Sequence, residues 1–157
     1  MIKKIILMGA LVASVFVSTA QNRRVTLIDG LYYTDGTQSS LYSGELREFF
    51  PDSTLRLEMS IKDGKPQGSY VVYHENGKPH EVRAYRNGLF HGTWRTYNEA
   101  GMLVAEAEYR DNLKHGTWRV WDDNGVMRYE THYTKGKKSG TWLMWDEKGK
   151  LISEKSY

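Results

Sequence analysis

A glycine recurs every 24 residues. It stands at Gly44, Gly68, Gly92, Gly116 and Gly140 with no insertion between copies. A period of this length held in phase describes a repeat architecture, in which each unit buries surface against its neighbours. With that glycine as position zero, two further positions punctuate the repeat. Position nine is Gly77, Gly101, Gly125 and Gly149, and position twenty is Gly64, Gly88, Asn112 and Gly136. Glycine and asparagine tolerate positive φ, so each site is expected to end a three-residue hairpin loop, a type I turn closed by a bulge. Between the turns the residues alternate and are rich in Trp, Tyr, Val and Thr, which favours strands. The predicted fold is all-β, an elongated single-layer array of antiparallel β-hairpin repeats. About five copies span residues 44–157, the last of them truncated.

Turn length sets the pairing. A three-residue first loop places position five opposite position eleven, giving Tyr97 with Leu103 and Trp121 with Met127, both good cross-strand pairs. Continuing that register puts position seventeen (Tyr85, Tyr109, Tyr133, Tyr157) on the same face, which is taken as the core side. The other face then carries position two, Leu46, Tyr70, Trp94, Trp118 and Trp142, among Glu106, Glu130 and Glu154. A second three-residue loop would keep every repeat in one orientation. With strands about 4.8 Å apart, equivalent residues fall about 10 Å apart along a strip about 45–50 Å long.

The ends of the chain differ from the repeat. Met1–Ala20 has Lys3 and Lys4, an apolar run from Ile5 to Val17, and small residues at Ser18 and Ala20, the pattern of a secretory signal peptide. Residues 21–43 depart from the repeat and are expected to cap it. The chain has no cysteine, so it offers no site for a lipid anchor, a disulfide or a thiolate metal centre. The expected product is an exported periplasmic or extracellular protein, not a lipoprotein, without a membrane span once the leader is removed. The full sequence has 22 basic and 19 acidic residues. Loss of Lys3 and Lys4 leaves the rest close to neutral, with no global electrostatic reason to bind nucleic acid or an anionic membrane.

The tandem pattern Gly-Thr-Trp-x-x-Tyr/Trp-x-x-x-Gly, followed by a Tyr and a second Gly or Asn, resembles the MORN-repeat variant family over Gly44 to Tyr157. Bacterial members of that family are often labelled YwqK-type antitoxins. The resemblance implies an elongated β-hairpin repeat protein that binds, and it carries no catalytic motif to transfer.

The residues agree on that last point. No nucleophile elbow, P-loop or zinc-protease motif is present. His91 and His115 are equivalent and therefore too far apart to share a metal ion. No enzyme activity, cofactor or metal is expected. The expected binding residues are Tyr70, Trp94, Trp118, Trp142, Glu106 and Glu130, with Trp118 as central anchor and a partner protein as ligand. Binding of a cell-wall or cell-surface glycan by the same aromatic ladder is the alternative.

Overall fold

A computed structural model describes residues 15–17, 24–34 and 38–157. Among these residues every regular element is a strand. The first three are β1 (Val15–Val17), β2 (Arg24–Ile28) and β3 (Leu31–Tyr33). Then come β4 (Gly44–Phe49), β5 (Leu55–Lys62), β6 (Lys65–Tyr73) and β7 (Pro79–Arg86). The series continues with β8 (Leu89–Phe90), β9 (Gly92–Tyr97), β10 (Leu103–Arg110) and β11 (Leu113–Trp121). It ends with β12 (Met127–Thr134), β13 (Lys137–Trp145) and β14 (Leu151–Ser156). Strands β1 to β3 form a small antiparallel sheet, and β4 to β14 form one 11-stranded sheet in which sequence neighbours pair antiparallel, except that the short β8 pairs only β7 and β9 joins β7 directly. The expected leader at residues 1–20 lies outside the described residues apart from Val15–Val17, which pair with β2.

The first turn of each repeat is the expected three-residue loop. The Gly77, Gly101, Gly125 and Gly149 amides donate to the carbonyls of His74, Asn98, Asp122 and Asp146 at 2.8–3.0 Å. All four glycines have positive φ, between 75° and 88°. Tyr97 pairs with Leu103 and Trp121 with Met127, as the turn geometry requires.

The second turn differs from the expected three-residue loop. Lys62 pairs with Lys65 and Arg110 with Leu113, leaving two residues in the loop. Those residues are consecutively left-handed: φ is 50° and 72° at Asp63 and Gly64, and 50° and 67° at Asp111 and Asn112. This is the type I′ turn, whose twist matches that of the flanking strands. The odd residue assigned to this loop instead sits inside the return strand, at position twelve. Leu103 pairs with Tyr97 but Ala105 with Thr96, so Val104 is extra. The same bulge recurs at Arg56, His80, Arg128 and Ile152.

A one-residue bulge reverses which face every later side chain takes. Position seventeen therefore lies on the face of position two, and the assignment that grouped it with position five is corrected. A second irregularity joins one hairpin to the next. Glu106 and Glu108 face Arg119 and His115, so one residue of β10 stands opposite three of β11, Gly116 to Trp118. The shift is even, so each repeat keeps the orientation of the last.

Burial is concentrated at the first hairpin and its cover; beyond them, among the described residues, Trp94 is the one buried hydrophobic side chain. Val25 and Tyr32 pack on Leu46, Leu57, Met59 and Ile61, with Leu27, Tyr42, Tyr70 and Val72 around them. Main-chain bonds fix the cover: Tyr32 donates to Gly64, Gly64 to Tyr42 and Tyr42 to Tyr32, at 2.8–2.9 Å. Val25, Leu27, Tyr32 and Tyr42 thus close one face of β4 and β5. Burial of the phenol pushes the Tyr32 pKa from 10.0 up to about 12. Its folded value exceeds the unfolded one, so its contribution to stability is intact below pH 10 and lost as pH rises through about 12. Denaturant titrations across that interval should show stability falling, and Tyr32→Phe should flatten the fall.

Gly116 has φ 61°, and the carboxylate of Glu108 fills the space that a Cβ would take there. The same carboxylate accepts from the Thr117 amide at 3.2 Å. Gly116→Ala is expected to cost at least about 1–2 kcal/mol for the left-handed backbone alone, measurable by urea denaturation.

Candidate interaction surface

The face that carries position two is an unbroken stack of rings. Centroid separations are 4.6 Å for Trp94–Tyr109, 5.1 Å for Tyr109–Trp118, 5.3 Å for Trp118–Tyr133 and Tyr133–Trp142, and 4.8 Å for Trp142–Tyr157. Neighbouring planes are tilted by 46–58°, a geometry that offsets the ring quadrupoles. At the other end Tyr70 reaches Trp94 through Tyr85, and Phe90 stands edge-on to Trp94 at 4.3 Å.

The junction bulge explains why the rings lie down. It opens the strand ladder beside position sixteen, and each indole N–H donates to the carbonyl exposed there. Trp94 reaches Ala84 at 3.2 Å, Trp118 reaches Glu108 at 3.0 Å and Trp142 reaches His132 at 3.0 Å. An indole tied to the preceding hairpin is held across the junction, where the position-seventeen tyrosines pack on either side. Burial raises the pKa values of Tyr70, Tyr85, Tyr109 and Tyr133. The exposed Tyr157 is shifted the other way, chiefly by a hydrogen bond from Lys138.

Cations decorate this stack. Lys114 Nζ lies 4.2 Å from the Trp118 ring centroid and 4.9 Å from that of Tyr133. One repeat on, Lys138 Nζ lies 4.3 Å from Trp142 and 4.7 Å from Tyr157. Lys155 also covers Tyr157, and Arg83 lies between Tyr70 and Trp94. All are within cation–π range.

The carboxylates expected among these rings are elsewhere. Glu106 pairs with Arg95, and Ala107 with Trp94, so Glu106 is on the opposite face. Glu130 and Glu154 follow the same rule against Arg119 and Leu143. The structure brings Tyr70, Trp94, Trp118 and Trp142 together and separates Glu106 and Glu130 from them; the cause is the same position-twelve bulge. On their own face these carboxylates form an ion ladder. Arg95 bonds Glu106 at 2.9 Å, Arg119 lies 3.6 Å from Glu106 and 2.8 Å from Glu130, and His132 is 3.4 Å from Glu130. The partial exposure of these pairs makes their individual contributions small.

From Gly92 onward, the pairing places no Asp or Glu on the aromatic face; its charged residues there are Lys114, Lys138 and Lys155. The surface is apolar and basic, not apolar and acidic. Sequence reasoning did not single out Phe90, Lys114, Lys138 or Lys155. The signal was present in Arg95 and Arg119, which alternate with the tryptophans and require partners of opposite sign. His91 stays near a turn, 3.3 Å from Asp111. Among the described residues no cluster of three or more His, Cys, Asp or Glu is placed to hold a metal ion.

Four successive stretches, residues 66–87, 90–111, 114–135 and 138–157, match the family model described as MORN repeat variant. The chain belongs to the MORN repeat variant family. Comparison with curated proteins finds no match. The four MORN repeats run from the exit of one second turn to the edge of the next, so each holds one Trp or Tyr at position two and one Tyr at position seventeen. The hairpin of β4 and β5 precedes the first of them. It has the same strands but carries Leu46 and Ile61 at those positions, beneath Val25, Leu27, Tyr32 and Tyr42.

Each MORN tryptophan supports the fold as well as the surface. Trp118→Phe removes the donor to the Glu108 carbonyl and is expected to cost about 1–3 kcal/mol. Trp118→Ala, which also empties the stack, should cost at least as much, toward about 3 kcal/mol. Thermal and urea unfolding of the two variants would check the order.

Proposed function

We propose that this protein is an exported, non-enzymatic binding protein that engages a partner protein through its aromatic–cation stripe, in an antitoxin-like or immunity-like role. The observation that carries the reading is the contrast along one face. Over the first hairpin, the chain's own Val25, Leu27, Tyr32 and Tyr42 cover the face, and Leu46 is completely buried. Over the following repeats, the same positions hold large rings and lysines with no such cover among the described residues.

Trp, Tyr and positively charged side chains on one ordered strip supply what protein interfaces draw on: amphipathic rings for burial and charges for orientation. The position of the lysines favours a protein over a glycan. Sugar rings stack on open aromatic faces, and here the rings tilt into one another beneath ammonium groups.

Capture from an exported-protein fraction tests the reading against retention on polysaccharide. The wild-type chain is expected to retain a protein, and Lys114→Glu combined with Lys138→Glu is expected to release it, with the corresponding Gln pair as the control that keeps the fold. Retention of polysaccharide with no protein captured would replace this reading with the glycan-binding one.

A further inference from the structure

We propose that the stripe takes an acidic segment of its partner in the polyproline II conformation, with an apolar residue followed by carboxylates at every third position. The proposal rests on the protein-binding reading above and specifies the chemistry of that partner. Three observations support it.

The first is spacing. Phe90, Lys114 and Lys138 occupy the same repeat position in successive units, each preceding its glycine by two residues. Successive units are two strands apart, so these side chains recur about every 9.6 Å along the stripe. A polyproline II segment has three residues per turn and rises about 3.1 Å per residue, so one side of it recurs about every 9.3 Å. An extended β-strand presents one side about every 6.8 Å and falls out of step within one repeat. A helix returns to one side about every 10.5 Å over two turns, and its mismatch accumulates faster than that of polyproline II.

The second observation is charge. Lys114 and Lys138 are exposed, they hold their ammonium groups above Trp118 and Trp142, and no strand-paired position on their face is acidic from Gly92 onward. At the preceding equivalent position the cation is replaced by Phe90, which stands against Trp94, and the Arg83 guanidinium near that ring is already paired with Glu81. The pattern along the stripe is apolar, basic, basic, and its complement is apolar, acidic, acidic.

The third observation is the lack of free backbone on a sheet face. Interior strands spend their N–H and C=O groups on one another, so a ligand lying across them must be read by side chains. Polyproline II suits that demand, because it has no internal hydrogen bonds to satisfy and docks on aromatic surfaces with little loss of entropy.

Tryptophan fluorescence of the full chain, titrated with short synthetic peptides, tests this. Leu-Pro-Pro-Glu-Pro-Pro-Glu is expected to bind at least about 10-fold more tightly than the same composition with the two glutamates adjacent at one end. Binding should weaken about 10-fold or more in Lys114→Glu with Lys138→Glu and to a smaller extent in the corresponding Gln pair, which retains the fold if charge reversal does not. Lys148→Glu, at a first turn, should leave it unchanged. Equal binding of the two peptides, tighter binding of a helical peptide with glutamates seven residues apart, or binding only to phosphatidylglycerol vesicles or single-stranded DNA would overturn the proposal. The two readings fail separately. Capture of a protein that depends on Lys114 and Lys138, with no preference between the peptides, removes the polyproline II inference alone; capture that ignores both lysines removes the stripe as the binding surface.

Discussion

A single sheet has no second layer to cover it, and the fold depends on how that deficit is met. The solution is to lay large side chains along the sheet and pack them on one another. The bond from each indole to the carbonyl of the preceding hairpin does this, because it directs the ring sideways, across the junction, and not outward into solvent. Trp118 thereby touches Tyr109 of the hairpin before it and Tyr133 of its own. The bond exists only because the junction bulge leaves the Glu108 carbonyl accessible, and the bulge in turn needs a glycine in the left-handed region at Gly116. The recurring Gly-Thr-Trp is in this sense one device: backbone bend, freed acceptor and donor within three residues.

Much of this was legible in the sequence. The period, the hairpins, the type I first turn and the pairing of Tyr97 with Leu103 all follow from glycine spacing and alternation. The assignment of faces does not, because it depends on one extra residue whose presence leaves the alternation on each side intact. Along β10 the order Leu103, Ala105, Ala107, Tyr109 reads as a continuous strand face through the bulge at Val104. Charge carried the missing information. Arg95 with Glu106 and Arg119 with Glu130 form cross-strand pairs only when the bulge is present, and a register built on apolar pairs alone places those glutamates among the tryptophans. The left-handed residues at Asp111 and Asn112 were half visible: asparagine signalled positive φ, while the aspartate before it gave no sign that the turn needed two such residues in succession.

That correction changes the chemistry of the candidate site more than its membership. The aromatic residues remain where a binding surface was expected, but their ionic company changes sign. A stripe bordered by carboxylates would favour basic partners, whereas one capped by Lys114, Lys138 and Lys155 would favour acidic ones. Meanwhile Glu106 and Glu130 on the far face are engaged with Arg95 and Arg119. The two faces of one thin sheet are thus distinct in polarity although they are built from the same strands.

The uneven distribution of burial has a kinetic side. Each hairpin touches only its neighbours, so the array behaves as a linear chain of coupled units whose stability is a sum of local terms. One end is locked by Val25, Tyr32, Leu46 and Ile61, while every residue of β14 is exposed. Opening should therefore begin at the β14 end and travel inward like a zipper, with amide exchange fastest there and slowest beside the covered hairpin. A ligand lying along several repeats would clasp the loose end to the locked one.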